Sequence, residues 1–423
     1  MTERTVLRVV RLVLVVLAGM QGQSLLAVSG TVAVGNCLLA FPKYATIQAA
    51  VNGVPPGGTV AVCPGIYPEQ VVITQPLTLR GVISGTSGAS VIASPAGGVA
   101  TNLLGLFAAQ VLVQGTTGVS IQDITVDGAN NGISVCAPVL VGVLWENASG
   151  TISHVTTRNQ TLPTLPGCGS GQGIRVRADS GLTSNVTIQN NNVHDYQYEG
   201  IRVSLPGASA TISGNTIRGV LPTQTAANGI DVAFGGAATV SNNQIIDGIW
   251  SPDVYPDFFD STWGILIQCS AGVTVTGNTV GNTQSGIVAT GSSGSCAGFP
   301  NPNNNIITSN RVFGTQTYEG IYVCGNSNQI INNTINGNSE SGIDLDASCN
   351  PGAAGIGNTL SQNKITEACT GLLVDPNTSG TIMSLNNFFG TTYTQISGVI
   401  GANACDAEGP GPAPTKGGLP DVP

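Results

Sequence analysis

Arginine and aspartate side chains recur at matching places in a repeated phrase of this chain. The phrase is a glycine, an isoleucine or leucine, one variable residue and usually another aliphatic residue. In GIRVRA, GIRVSL and GIDVAF the variable residue is Arg175, Arg202 and Asp231, and Arg177 follows two positions after Arg175. Cationic groups beside a carboxylate can neutralise an acidic sugar and assist proton transfer. We therefore predict Arg175, Arg202 and Asp231 as catalytic and Arg177 as substrate-binding; the alternative is an exposed ion-pair ladder.

A second group of such residues lies in the later phrases GIYVCG and GIDLDA, which contain Tyr322, Asp344 and Asp346. Residues two apart on a strand share a face at about 7 Å. That spacing falls within the ~6.5–9.5 Å that separates the acid and base of inverting glycosidases. Asp344 and Asp346 are therefore predicted as catalytic and Tyr322 as a substrate contact. The alternatives are a calcium site or ordinary solvent-facing aspartates.

The longest interval between phrases carries the insertion WSPDVYPDFFDSTW at positions 250–263. Aromatic rings offer flat surfaces for sugars, and carboxylates bind calcium. The predicted sugar-stacking residues are Trp250, Tyr255 and Trp263, and the candidate calcium ligands are Asp253, Asp257 and Asp260. Calcium is the one cofactor that the sequence suggests.

Internal repetition explains how distant residues could meet. The glycine phrase recurs at positions 173, 200, 229, 264, 286, 320, 342 and 371, with 132 as an expected earlier member. Between its copies runs an aliphatic residue, an asparagine three later and an aliphatic residue two after that. The asparagines are Asn191, Asn215, Asn243, Asn278, Asn310, Asn333 and Asn363.

This repetition predicts an all-β solenoid of stacked coils. Strand alternation sends the aliphatic residues inward and the variable residues outward. Successive coils lie about 4.8 Å apart, so variable residues should form axial columns on one exposed surface. Asparagine tolerates the left-handed backbone of tight turns, and stacked amides can bond one another, which predicts a structural ladder.

Both ends of the chain differ from the repeat. A basic segment with Arg4, Arg8 and Arg11 precedes a short apolar run and small residues, which predicts a signal peptide over 1–29. A retained membrane anchor is the alternative. Thr46 is expected to cap a short helix. We assign 30–405 to the solenoid and the Pro/Gly-rich 406–423 to a disordered tail.

Charge and cysteine content indicate the compartment and the partners. Without residues 1–29 the chain keeps 21 acidic and 10 basic residues, which argues against nucleic acid as a partner. No further apolar run of membrane-spanning length occurs. Ten cysteines behind a signal peptide indicate disulfides in a secreted or periplasmic protein. Neighbour pairing is the simplest scheme: 37–63, 136–168, 269–296, 324–349 and 369–405.

A family resemblance supports the predicted fold. The string ATIQAAVNGVPPGGTVAVCPGIYPEQVVITQPLTLRG resembles the amino-terminal cap and first coil of the pectate-lyase-like right-handed parallel β-helix superfamily. The glycine and asparagine phrases look like its generic repeats, over roughly residues 37–400. The resemblance implies a single-stranded right-handed parallel β-helix with an amino-terminal capping helix.

The same resemblance leaves the activity open, because the superfamily contains lyases, hydrolases, esterases, epimerases and non-catalytic surface proteins. The catalytic strings typical of its polygalacturonases, mannuronan epimerases, pectate lyases and pectin methylesterases are absent from the sequence. Two functions remain. One is a secreted protein that binds, and as a lyase or glycoside hydrolase cleaves, an acidic polysaccharide. The other is a non-catalytic extracellular structural or adhesin protein. The oligomeric state stays open.

Overall fold

The computed structural model describes residues 30–83, 89–162, 168–220, 227–248, 262–291, 296–315, 318–337, 340–347, 355–375, 378–391 and 393–397. These residues contain one short helix and three long parallel sheets, here named A, B and C. Each regular coil adds one strand to each sheet. The predicted all-β parallel β-helix is therefore confirmed.

Sheet A begins with β2, β1 and β3 side by side and then follows chain order. Its strands are β1 (Thr31–Val34), β2 (Lys43–Tyr44), β3 (Thr59–Val62), β6 (Thr78–Gly81), β9 (Val119–Gln122), β12 (Ser149–Ser153), β15 (Ser184–Gln189), β18 (Ala208–Ser213), β21 (Ala237–Ser241), β24 (Thr274–Thr276), β27 (Ile306–Thr308), β30 (Gln329–Ile331), β33 (Thr359–Ser361) and β36 (Ile382–Ser384).

Sheets B and C follow chain order throughout. The strands of sheet B are β4 (Gly65–Pro68), β7 (Ser90–Ala93), β10 (Thr125–Asp127), β13 (Thr156–Arg158), β16 (Asn192–His194), β19 (Thr216–Arg218), β22 (Gln244–Gly248), β25 (Thr279–Thr283), β28 (Arg311–Phe313), β31 (Thr334–Asn336), β34 (Lys364–Thr366) and β37 (Asn387–Phe389). The strands of sheet C are β5 (Val71–Ile73), β8 (Phe107–Gln114), β11 (Val139–Glu146), β14 (Gln172–Arg177), β17 (Glu199–Ser204), β20 (Asn228–Ala233), β23 (Trp263–Gln268), β26 (Ser285–Thr290), β29 (Ile321–Val323), β32 (Ser341–Leu345), β35 (Thr370–Val374) and β38 (Tyr393–Ser397).

One continuous apolar core fills the interior of the solenoid. In a single coil Ile188 of sheet A, Val193 of sheet B and Ile201 of sheet C are all completely buried in it. Because one coil cannot bury these residues alone, each coil depends on its two neighbours. No helix in the described residues is long and apolar enough to cross a membrane.

The predicted asparagine ladder is present and buried at the corner between sheets A and B. Each amide nitrogen donates to the side-chain oxygen of the asparagine one coil further on, as from Asn215 to Asn243 at 2.8 Å and from Asn243 to Asn278 at 2.9 Å. Asn386 adds a further member after Asn363. The left-handed residue is the one before the ladder asparagine, for example Asn242 with φ 55°. The ladder residues themselves therefore serve hydrogen bonding rather than the turn conformation.

Close packing between sheets explains the glycine of the repeated phrase. A Cβ on Gly200 would lie 2.5 Å from the carbonyl oxygen of Gly229 and 2.7 Å from Cγ2 of Ile217 in sheet B. Pairing in sheet C passes over this glycine, since Gln172 faces Glu199 and Ile174 then faces Ile201. Only a residue without a side chain fits there.

The start of the repeat corrects one expectation from sequence. The glycine phrase begins at Gly142 rather than Gly132, because Val143 faces Ile174 and Leu144 faces Arg175. Helix α1 (Ile47–Gly53) occurs where it was expected, and the Thr46 hydroxyl accepts from the Ala49 amide at 3.1 Å.

Disulfides follow the neighbour scheme as far as the described residues reach. The bonded pairs are Cys37–Cys63, Cys136–Cys168 and Cys269–Cys296. Cys324 and Cys369 are also disulfide-bonded, and their predicted partners, Cys349 and Cys405, lie outside the described residues. So do the predicted signal peptide and the 406–423 tail.

Replacing Asn243 by alanine should destabilise the fold by about 3 kcal/mol, because four buried hydrogen bonds of the ladder are lost and their partners stay unsatisfied. Urea unfolding measures the change. Asn185→Ala on the exposed face of sheet A is the control and should stay within about 0.5 kcal/mol of wild type. Equal stability of both variants would contradict the role of the ladder.

Candidate functional site

The outer face of sheet C brings the predicted residues into one axial column. Arg175 faces Arg202, and Arg202 faces Asp231. The column continues through Leu266, Val288 and Tyr322 to Asp344. The predicted register is therefore confirmed.

The expected exposure of this column is wrong for every member from Arg175 to Tyr322. Arg175 and Arg202 are each 2 % exposed and Asp231 is 1 % exposed. Aromatic rings contribute to the cover, because the Phe107 ring lies 4.7 Å from the Arg175 guanidinium carbon and the Phe234 ring 5.6 Å from that of Arg202. The alternation of residues along each strand correctly predicted that these side chains leave the apolar core. It could not predict that other segments of the protein cover them.

Buried ion pairs connect the arginines, and we name this group the basic cluster: Arg175, Arg177, Arg202, Glu146, Glu199 and Asp231. Nη1 of Arg202 contacts the Glu199 carboxylate and lies 3.5 Å from Oδ2 of Asp231. Nη1 of Arg177 lies 3.0 Å from Oε2 of Glu146. A guanidinium held by two carboxylates keeps its proton, so Arg202 is poorly placed to act as a base.

Arg175 differs from the other two arginines. Among the described residues no carboxylate lies within 4 Å of it, and its nitrogens donate instead to Gln172 at 3.4 Å and Ser204 at 3.3 Å. Its buried Nε has no hydrogen-bond partner. Burial, and after it the charge of Arg202, lowers the pKa of Arg175 to about 9. It is the least compensated cation of the basic cluster.

Two carboxylates of the basic cluster escaped the sequence prediction. Glu199 directly precedes a phrase glycine and accepts from Gln172 at 2.6 Å. Strict alternation would put Glu199 and Arg202 on opposite faces, but the irregular pairing at Gly200 puts both outside. The recurring polar residue before the glycine, as in QGIRV and EGIRV, is the signal that could have revealed it. Glu146 was missed because the first phrase was placed at Gly132.

A second group, the acidic cluster, lies further along the same face: Glu319, Tyr322, Glu340, Asp344, Asp346 and Asp375. The Tyr322 hydroxyl donates to Oδ2 of Asp346 at 2.6 Å. Oδ2 of Asp375 accepts from the Ala347 amide at 3.3 Å, which places it one coil beyond Asp346. Asp344 and Asp346 are only partly buried. The sequence predicted Tyr322, Asp344 and Asp346 together, and the fold brings them together.

The pKa values of two carboxyl groups in the acidic cluster are raised. Burial raises the pKa of Asp344 well above its ordinary value, and the charges of Asp346 and Glu340 raise it further. Burial also raises the pKa of Glu319, with contributions from Glu340 and Asp344. A carboxyl group with a raised pKa next to a second carboxyl group that accepts a hydrogen bond from a hydroxyl is suited to paired acid–base chemistry.

The predicted sugar-stacking and calcium-binding residues are either buried or outside the described residues. Trp263 begins β23, is 7 % exposed and packs with Leu266, Val288 and Tyr322, so the expected open sugar platform is wrong for this residue. Tyr322 is likewise only 5 % exposed. The other loop residues, Trp250, Tyr255, Asp253, Asp257 and Asp260, lie outside the described residues.

The part of the chain that the structure describes contains no preformed metal site. There, no group of three or more His, Cys, Asp or Glu residues is arranged to hold an ion. Calcium binding by the 250–263 insertion stays a prediction.

Comparison with known proteins identifies the architecture. The family model described as "Right handed beta helix region" matches residues 141–318. Together with the three parallel sheets, this match identifies the fold of the chain as a right-handed parallel β-helix. No curated protein matches it in sequence.

Solved structures agree with this fold. The mannuronan C-5 epimerase AlgE4 A-module of Azotobacter vinelandii aligns at TM-score 0.53 and 16 % identity, over 84 % of this chain and 95 % of that one. The GH136 lacto-N-biosidase of Eubacterium ramulus aligns at 0.57 and 13 %, over 85 % and 68 %. The DFA-IIIase of Arthrobacter chlorophenolicus A6 aligns at 0.53 and 14 %, over 80 % and 86 %.

Glu146 should make the stability depend on pH. Burial raises its pKa to about 7, against the opposing charge of Arg177. The folded state thus holds this proton more tightly than the unfolded chain. The resulting stabilisation is complete below about pH 4.5 and is lost as the pH rises through 7. Between pH 5 and 8 wild type should lose about 2 kcal/mol more than Glu146→Gln in urea unfolding. Parallel pH profiles of the two proteins would contradict the shift.

Proposed function

We propose that this protein binds a polysaccharide at the acidic cluster, on the outer face of sheet C, and hydrolyses it there. In this proposal Asp344 is the general acid and Asp346 the general base. The observation that carries it is the contrast between these neighbours: the raised pKa of Asp344 and the hydrogen bond from Tyr322 to Asp346.

Geometry and chemistry favour these roles. Asp346 directly follows the last residue of β32 and lies two positions after Asp344. On extended chain this spacing puts both side chains on one face at about 7 Å, room enough for a water between base and sugar. A protonated Asp344 can donate to the leaving oxygen of a glycosidic bond. Asp346, oriented by the Tyr322 hydroxyl, can take a proton from the attacking water. Both side chains are partly exposed, so a substrate can reach them.

Similarity of fold supports a carbohydrate as the substrate. The named neighbours are an epimerase of mannuronan, a lacto-N-biosidase and a DFA-IIIase. Their identity to this chain is too low to transfer a reaction. The described disulfides support an extracytoplasmic location, where such polymers are met.

The basic cluster has a different proposed role. A lyase that used Arg202 as base would have to deprotonate a guanidinium in contact with Glu199 and near Asp231, which is unfavourable. We propose that this cluster positions the strands of sheet C, with Arg175 able to meet an acidic sugar if its cover moves. If the cluster is wholly structural, the non-catalytic alternative gains support. Calcium at Asp253, Asp257 and Asp260 would add a further contact to an acidic glycan.

A panel of neutral and uronate polysaccharides, with and without calcium, tests this proposal. Release of reducing ends is followed together with the ultraviolet absorbance of unsaturated uronates. We expect reducing ends without unsaturated product, and a loss of about 100-fold or more in Asp344→Asn. Asp195→Asn changes a half-exposed aspartate just after β16 of sheet B and should retain full activity.

Other outcomes would overturn the assignment. Unsaturated product that disappears in Arg202→Ala would identify a lyase and the basic cluster as its site. Full activity of Asp344→Asn would exclude the acidic cluster as the site. Binding without any product across the panel would favour the non-catalytic extracellular protein.

A further inference from the structure

A column of hydroxyl groups runs along the outer face of sheet A, away from both charged clusters. Thr151 faces Thr187 in the next coil, and Thr187 faces Thr211. Thr211 then faces Thr239, and Thr239 faces Thr274. We name these five threonines the hydroxyl column. All of them are partly or fully exposed.

A second file of hydroxyl groups lies beside this column. Ser213, Ser241 and Thr276 occupy the positions two residues further along the same strands, and each faces the next. Neighbouring groups are therefore about 4.8 Å apart along the solenoid axis and about 6.6 Å apart along each strand. The result is an array two hydroxyl groups wide on β18, β21 and β24, with a regular repeat along the axis.

Internal hydrogen bonding does not account for this array. No hydroxyl of the hydroxyl column has a protein hydrogen-bond partner within the described residues. The asparagine ladder behaves in the opposite way, since its amides bond one another from coil to coil. Each threonine thus offers a donor and two acceptors to the surroundings, on a β-branched side chain whose χ1 is restricted.

Charge and composition narrow the class of partner. The chain has a net charge of −9, yet the outward residues of β12, β15, β18, β21 and β24 include no charged and no aromatic side chain. An uncharged face with many hydroxyl groups is suited to an uncharged partner that has regularly spaced hydrogen-bond donors and acceptors. The absence of rings on these strands disfavours sugars, which stack on aromatic side chains.

We propose that this face of sheet A adsorbs to ice, as a second activity independent of glycan hydrolysis. The repeated hydroxyls hold a layer of water at fixed intervals, and each held water completes its bonds to the lattice beyond it. Because the threonines come from successive coils in register, the rigid solenoid fixes the intervals before the surface is met.

Slow freezing of a dilute solution of the full chain tests this proposal, with the fraction of protein held in the ice as the readout. Thr211→Lys places a charge in the middle of the hydroxyl column. The matched control is Thr216→Lys, which changes an exposed threonine of sheet B in the same coil. We expect wild type and Thr216→Lys to be enriched in the ice and Thr211→Lys to remain in the liquid. Circular dichroism checks that all three proteins are folded.

Two results would overturn the proposal. One is a negative freezing assay, in which either the folded wild type is excluded from ice or Thr211→Lys is held in the ice as strongly as wild type. The other is binding of wild type to microcrystalline cellulose that Thr211→Lys abolishes, because the face would then recognise a glycan. Neither result bears on the acidic cluster, so hydrolysis at Asp344 stands or fails separately.

Discussion

In-register stacking of the coils is the constraint on which every functional surface of this protein depends. Each strand pairs with the strand one coil away, and the buried asparagine ladder repeats that register at the corner of sheets A and B. Residues about one coil apart in the sequence thereby become neighbours along the axis. The column from Arg175 to Asp344 in sheet C and the hydroxyl column in sheet A are both consequences of this stacking.

The same stacking creates two very different electrostatic environments on one face. In the basic cluster, cations and carboxylates compensate one another in a buried network, and Arg175 is the one arginine of the cluster with no carboxylate of the described residues within 4 Å. In the acidic cluster, burial and the charges of neighbouring carboxylates raise the pKa values of Glu319 and Asp344, which favours their protonated forms. Acid–base catalysis at neutral pH needs a protonated and an ionised group side by side. The acidic cluster favours this arrangement, because the pKa of Asp344 is raised and Asp346 lies beside it.

Periodicity predicted the fold, the register, the asparagine ladder and the three observed disulfides. It also predicted that Asp344 and Asp346 lie side by side. It missed Glu199, because the glycine of the phrase breaks the alternation that the prediction assumed. It misjudged the exposure of Arg202 and Trp263, because a local pattern tells which side chains leave the core but not which of them are covered by chain from elsewhere.

The central claim is that Asp344 holds a proton at neutral pH beside Asp346. Infrared difference spectroscopy of wild type against Asp344→Asn at pH 7 measures this directly through the carbonyl stretch of a protonated carboxyl. The account predicts a protonated-carboxyl band in wild type that is missing from the variant. A difference spectrum with only carboxylate bands would contradict it.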